Sequence, residues 1–251
     1  MKFFSLITVR CSSKRLKKKC LLKFGEINVI EHIILRALKS NIIPIVCTTT
    51  NKSDFIIQKI SKKYKVKCFR GSSKNKIKRW YDCAKKNKIN FFHTIDADDP
   101  FFDPISIKKS ILKCIDNNDI VFPSEVSRAG GASEGYSFSF KAINKLNKIV
   151  NQINKNNNNI DTEMIEKFID FRRFKIKVLE GSKYEIKRAR LTLDYKEDYE
   201  MLSKVRDICG NFTTRKKINN FLKKNRDIVN INFFRNEDWR KRQKELLKIK
   251  N

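Results

Sequence analysis

This sequence predicts an α/β fold, a doubly wound and mostly parallel sheet of Rossmann-like layout. Three observations carry that expectation. The chain opens on a buried-strand pattern at Phe3 to Val9 (FFSLITV), which runs straight into a short, polar, cationic loop. Strand and helix signals then alternate through the first half with short connections, as βαβ units require. With 251 residues, 40% of them apolar, the chain can bury the core of one large domain.

The elements follow in order. Val29 to Lys39 (VIEHIILRALK) has apolar residues at helical spacing. Ile42 to Thr48 reads as the next buried strand, Asp54 to Tyr64 as a helix and Val66 to Phe69 as a short strand. Lys76 to Lys86 is a helix, Asn90 to Ile95 a strand, Ile105 to Ile115 a helix and Asp119 to Phe122 a strand. The second half is less regular. Pro123 to Gly135 is a loop containing Gly130 and Gly131, Tyr136 to Phe140 alternates like a strand, and a helix follows through Val150. Asn156 to Asn159 is a polar break. Phe174 to Leu179 and Leu191 to Leu193 are candidate strands; basic helices are expected near Lys217 to Asn225 and Glu237 to Lys248. One domain over residues 1–251 is expected, with 211–251 as its basic helical extension.

The net charge of +30 invites a nucleic-acid reading. Against it, the cations are spread along the chain, and the richness in Lys, Asn and Ile fits A/T-rich codons. Specific nucleic-acid binding is therefore not expected, whereas attraction to polyanionic small substrates follows from the charge in either case. The seven cysteines are odd in number and form no C-x-x-C pair, so a reducing, cytoplasmic setting is expected rather than a disulfide framework. Most should be buried; Cys11, in the loop, is the expected exception. No secretory signal or membrane span is read.

The chemistry concentrates in three places. Arg10, Arg15 and Lys19 offer charge at the carboxyl edge of the first strand, where ligands of such sheets bind. Ser12, Ser13 and the loop amides offer hydrogen bonds to phosphate oxygens. Asp96-Ala97-Asp98-Asp99 follows the Asn90 to Ile95 strand; like charges so close repel, and a Mg²⁺ ion would resolve the conflict. Asp194 precedes an acidic helix start at Glu197-Asp198, and either a metal ligand or a helix cap satisfies that pattern. His32 and His93 read as packed side chains rather than catalytic ones.

The order R-x-x-S-x-R-L-x-x-K over Arg10 to Lys19 resembles the start of the sugar cytidylyltransferases, the CMP-Kdo and CMP-sialic acid synthetases and, closest, the spore-coat polysaccharide group. Lys17-Lys18 stand where that family has Pro-Gly. Further segments resemble the family in order: Thr48-Thr49 after Cys47, Arg70-Gly71-Ser72, the T-I-D-A-D-D-P-F-F-D-P stretch, E-G-Y-S-F-S-F from Glu134, and R-L-T-L-D from Arg190. The resemblance implies CTP as a substrate, Mg²⁺ on Asp98 and Asp194, and Asp96 in place of a neutral residue. Thr48, Thr49, Arg70, Gly71, Ser72 and Arg79 would line the nucleotide pocket, and Glu134 would lie on the sugar side. The implied reaction transfers CMP to an acidic 2-keto sugar, with Arg10 and Lys19 acting on the phosphates. A homodimer is expected, with Phe221, Leu222, Phe233, Phe234 and Trp239 available for the contact. The alternatives are a same-fold nucleotidyltransferase with another nucleotide or acceptor, and a basic nucleic-acid-binding protein.

Overall fold

The computed structural model describes residues 1–13, 15–124, 134–156, 160–181, 186 and 188–248. Lys14, the loop glycines Gly130 and Gly131, and 157–159 of the polar break lie outside the described residues. Strand β1 (Phe4–Thr8) leads through the cationic loop to a hairpin of β2 (Lys23–Phe24) and β3 (Ile27–Asn28), which the sequence reading missed. Gly25 (φ +75°) supplies its turn. Then come α1 (Val29–Lys39), β4 (Ile43–Thr49), α2 (Phe55–Lys63), β5 (Lys67–Gly71), α3 (Lys76–Lys86), β6 (Phe91–Asp96) and α4 (Pro104–Ile115). The second half holds β7 (Ile120–Phe122), β8 (Ser137–Ser139), α5 (Phe140–Asn156) and β9 (Ile176–Val178). It closes with α6 (Lys196–Cys209), α7 (Arg215–Lys224), α8 (Arg226–Asn230) and α9 (Arg235–Lys248).

The seven-stranded sheet has the order β5-β4-β1-β6-β8-β7-β9. Only β8 runs against its neighbours; the other pairings are parallel. The expected doubly wound, mostly parallel sheet is therefore what forms. The chain winds outward from β1 through β4 to β5, then returns to place β6 on the other side of β1. That reversal opens a crevice beyond the carboxyl ends of β1 and β6. Thr8 and Asp96 are register partners there.

Alternation along the strands feeds two cores. Ile7, Val46 and Ile95 face one side, with α1 and α6. Leu6, Ile45, Cys47 and Phe92 face the other, with α3 and α5. Helix α1 starts on a capping box, in which the Asn28 side chain accepts from Glu31 N and Glu31 reaches back to Asn28 N. Helix α4 starts at Asp103-Pro104, with Asp103 accepting from Ile105 N.

Three expectations need correction. Leu191 to Leu193 form no strand: Leu193 N donates to Asp98 O at 2.7 Å, and no ladder continues from it. Leu191, Thr192 and Leu193 are all buried in a segment without regular secondary structure. Cys11 is buried rather than exposed, because its amide is drawn inward to Asp54 Oδ1 at 2.7 Å. Much of the apolar surface assigned to a dimer contact is used internally: Leu222 is in the first core, with Phe221 and Phe233 packed on it. Phe234 remains exposed.

Candidate active site

The loop after β1 is anchored by a carboxylate that the sequence reading missed. Asp54 accepts from Cys11 N and also from the Thr49 hydroxyl, so it ties the loop base to the end of β4. Lys18 follows in the left-handed region (φ +50°, ψ +33°), at the place where the resembled family carries glycine. A short 3-10 turn, Lys19–Leu21, begins directly after it and turns Lys19 into the crevice. Ser12 is exposed and Ser13 half-buried on the outer part of the loop.

Lys19 Nζ stands between the two predicted metal-ligating carboxylates, 2.9 Å from Asp98 Oδ2 and 2.8 Å from Asp194 Oδ1. Arg15 also donates to Asp194 Oδ1. Burial disfavours charge on Lys19, but Asp98 and Asp194 outweigh it and hold the ammonium pKa above its usual value. Burial likewise works against ionised Asp194, yet Lys19 and then Arg15 bring its pKa down to about 2. Arg10 pairs instead with Glu163 at 3.0 Å.

A buried scaffold presents Asp194. Arg190 Nε donates to Asp198 Oδ1 at 2.8 Å and its NH2 to Asp198 Oδ2 at 3.1 Å. Asp198 Oδ2 also accepts from Asp194 N at 2.8 Å and Tyr195 N at 2.9 Å. The cap alternative therefore belongs to Asp198, at the third position of α6, and the Asp194 side chain is left for the crevice. Asn232 Nδ2 braces the pair by donating to Asp198 Oδ1 and to Arg190 O, each at 2.9 Å.

Across the sheet edge lie the residues assigned to the nucleotide pocket. Thr48 and Thr49 are buried at the end of β4. Arg70 closes the turn after β4, donating to Thr49 O, Thr50 O and Asn51 O at 2.9–3.1 Å. Gly71 allows close packing: a Cβ there would lie 2.8 Å from Phe69 Cε1 and 3.1 Å from Arg79 Cγ. Ser72 Oγ accepts from Asn75 N at 3.0 Å, and buried Arg79 donates to Ser72 O at 2.6 Å. Arg70 and Arg79 thus hold backbone at the end of β4 and in the turn after β5.

On the far side of β6, Glu134 pairs with Arg215 NH2 at 3.3 Å. Its carbonyl accepts from His93 Nε2 at 2.6 Å, and His93 Nδ1 accepts from the Ser137 hydroxyl at 2.8 Å. Burial lowers the His93 pKa to about 4, so the ring is neutral and structural. Asp99 is fully buried 3.8 Å from Arg215; burial pushes its pKa up to about 7, with Arg215 opposing. Of the clustered acids, Asp98 therefore faces Lys19 while Asp99 points to the C-terminal helices.

The donor chemistry fits a hard dication. Asp98 Oδ1 is buried and has no hydrogen-bond partner. Among the described residues no group of three or more His, Cys, Asp and Glu side chains forms a metal cage. Two carboxylates, with the remaining positions left to phosphate and water, are the set that Mg²⁺ uses in phosphoryl-transfer sites.

A family model for cytidylyltransferases matches residues 4–237. The chain belongs to the cytidylyltransferase family. The protein MJ1063 of Methanocaldococcus jannaschii is 32% identical over 241 residues, spanning 92% of this chain and 95% of that one. A cytidylyltransferase structure from Leptospira borgpetersenii superposes with a TM-score of 0.76 at 23% identity, covering 91% of this chain and 97% of the other. A CMP:2-keto-3-deoxy-manno-octonic acid synthetase in complex with CTP gives 0.63 at 12% identity, covering 83% and 99%. Within this cytidylyltransferase, the sequence reading gave no role of their own to Asp54, Glu163, Arg190 and Asp198. Arg190 and Asp198 flank Asp194 in the late segment and were the most findable, since a buried arginine needs a carboxylate.

Proposed function

We propose that this chain transfers CMP from CTP to a hydroxyl of an acidic 2-keto sugar and releases pyrophosphate, and that it stands closest to the spore-coat polysaccharide group. The observation that carries this reading is Lys19 held between Asp98 and Asp194 at the crevice of β1 and β6. The acceptor oxygen attacks the α-phosphorus, the bond to the bridging oxygen of the β-phosphate breaks, and the hydroxyl proton passes to solvent. Arg10, Arg15 and Lys19 exchange their carboxylate partners for phosphate oxygens and offset the charge that builds up on the leaving pyrophosphate. Asp98 and Asp194 would hold Mg²⁺, which supplies Lewis-acid stabilisation of the phosphate charge. Thr48, Thr49 and the Arg70 to Ser72 turn line the cytidine side, and Glu134 the acceptor side.

The same reading takes residues 1–251 as one catalytic domain with 211–251 as its helical extension, acting as a homodimer in a reducing cytoplasm. All seven cysteines are free, which supports the compartment. Among the described residues no helix is long and apolar enough to cross a membrane.

Isothermal titration with CTP, UTP, GTP and ATP in Mg²⁺ tests the nucleotide, and CTP should bind best. Pyrophosphate release with a panel of 2-keto acid sugars tests the acceptor. Asp98→Asn should abolish turnover with the fold intact, and Lys19→Ala should lower it by on the order of 10²-fold. Equal turnover by Asp98→Asn and the wild type at saturating Mg²⁺ would end the metal assignment. Tight, sequence-selective DNA binding without nucleotide preference would favour the nucleic-acid alternative.

A further inference from the structure

Lys76 has no place in the site derived above. It is the first residue of α3 and is 8% exposed. Its ammonium lies 5.0 Å from the Trp80 ring centroid, and the Trp80 indole N–H donates to Thr8 Oγ1 at 2.9 Å. Thr8 ends β1, and its register partner Asp96 ends β6. The Lys76 ammonium reaches Asp96 Oδ1 at 3.5 Å. It therefore sits over the sheet edge where the crevice opens, between the phosphate loop and the acidic loop.

The pairing is loose for a buried charge. Lys19, similarly enclosed, has two carboxylates within 2.9 Å, whereas among the described residues Lys76 has one, at 3.5 Å. Burial penalises the Lys76 charge, yet Asp96 and then Glu163 keep its pKa above the usual value. A buried ammonium costs several kcal/mol unless its donors are satisfied, so a loosely held one in a ligand crevice is placed for an incoming anion. The N-terminus of α3 adds positive potential at the same spot. Asp96 departs from the neutral residue of the resembled family, and Lys76 pairs with it.

We infer that Lys76 is a phosphate-binding residue of this chain, contacting the α-phosphate of the nucleotide. The position selects that phosphate. The turn at Arg70 to Ser72, proposed to hold the base, leads directly into α3, while Arg10, Arg15 and Lys19 lie on the loop that takes the outer phosphates. The phosphate adjoining the ribose must pass between them, where Lys76 lies. The inference rests on the proposed nucleotide reading.

Titration of cytidine, CMP and CTP against the wild type, Lys76→Gln and Lys76→Arg tests it, with exposed Lys78→Gln on the same helix as control. Lys76→Gln should weaken CMP and CTP about tenfold each and leave cytidine unchanged, as loss of a charge-assisted contact worth about 1.4 kcal/mol requires. Lys76→Arg should recover most of the loss, and Lys78→Gln should show none. Unchanged CMP affinity overturns the inference, as does a loss shared by cytidine, which would mean a damaged pocket. A loss with CTP but not CMP overturns the α-phosphate assignment. Absence of CTP binding by the wild type would instead defeat the nucleotide reading itself.

Discussion

Asp198 is predicted to be the residue on which the late segment depends, and the size of its effect can be worked from its contacts. Asp198 and Arg190 have fully buried side chains. Asp198→Ala removes both bonds from Arg190 and leaves its charge with longer contacts, to Asn236 Oδ1 at 3.2 Å and Asp194 Oδ2 at 3.4 Å. Breaking a buried pair by removing one partner costs about 3–5 kcal/mol. The amides of Asp194 and Tyr195 also lose their acceptor, at about 1–3 kcal/mol each if no water replaces it. These terms overlap, because one cavity serves both, so about 4 kcal/mol is expected in all. At roughly 2–4 °C per kcal/mol for a chain of this size, Tm should fall by about 8–16 °C in differential scanning fluorimetry.

The double variant Arg190→Met with Asp198→Leu is the control. It removes both charges, and apolar replacement of a buried pair is often near neutral. It should recover much of the stability but not the metal-dependent part of nucleotide binding, since Asp194 would still lack its tether. A Tm loss under about 3 °C for Asp198→Ala would refute the reasoning. So would a double variant less stable than the single one.

Three further outcomes are expected. Lys18→Gly should stabilise the loop by up to about 1 kcal/mol, because a left-handed residue with a side chain costs about 1–2 kcal/mol and added chain entropy offsets part of the gain; Lys17→Gly serves as control in urea denaturation. Gly135→Ala should cost at least about 2 kcal/mol, because the new Cβ would fall 1.8 Å from the Thr94 carbonyl oxygen at φ +73°; unchanged urea midpoints would contradict it. His93 is held neutral, with its pKa lowered from 6.5 to about 4, so the unfolded chain takes up its proton first as pH falls. Its contribution is complete above pH 6.5 and is lost progressively down to about pH 4. The stability gap between wild type and His93→Gln should shrink across that window by about 3 kcal/mol, whereas a gap independent of pH would show that His93 does not carry the effect.

Local rules made the first half of the fold legible. Helix α3 runs from Lys76 to Lys86, as its spacing predicts, and β1 emerges within the FFSLITV run. The β2–β3 hairpin was not legible, because each strand is only two residues long and a period of two cannot register over so short a run. Leu191 to Leu193 failed for the opposite reason: strand-like alternation exists, but the segment is buried in the first core and its bond from Leu193 N to Asp98 O is not continued into a ladder. In the site, Lys19, Asp98 and Asp194 were marked by charge at strand ends and by resemblance. Glu163 and Asp54 were not, since each is tied to the loop after β1 by a partner at least forty residues away, Arg10 for one and Cys11 for the other.

The net charge of +30 says little about the crevice itself. Arg10 is paired with Glu163, Arg15 with Asp194, Lys19 with Asp98 and Asp194, and Lys76 with Asp96. The cations proposed to hold phosphate are thus balanced by carboxylates before any ligand arrives. Nucleotide binding at such a site is an exchange of partners rather than capture by a bare positive surface. In the proposed reaction phosphate oxygens would take over the ammonium and guanidinium groups, and the displaced Asp98 and Asp194 could not remain buried and uncompensated. They are the carboxylates proposed to hold Mg²⁺, so nucleotide and counter-ion compensate one another within a single exchange. The surplus positive charge elsewhere on the chain can raise the encounter rate with anions, but selection among them lies with the residues that change partners.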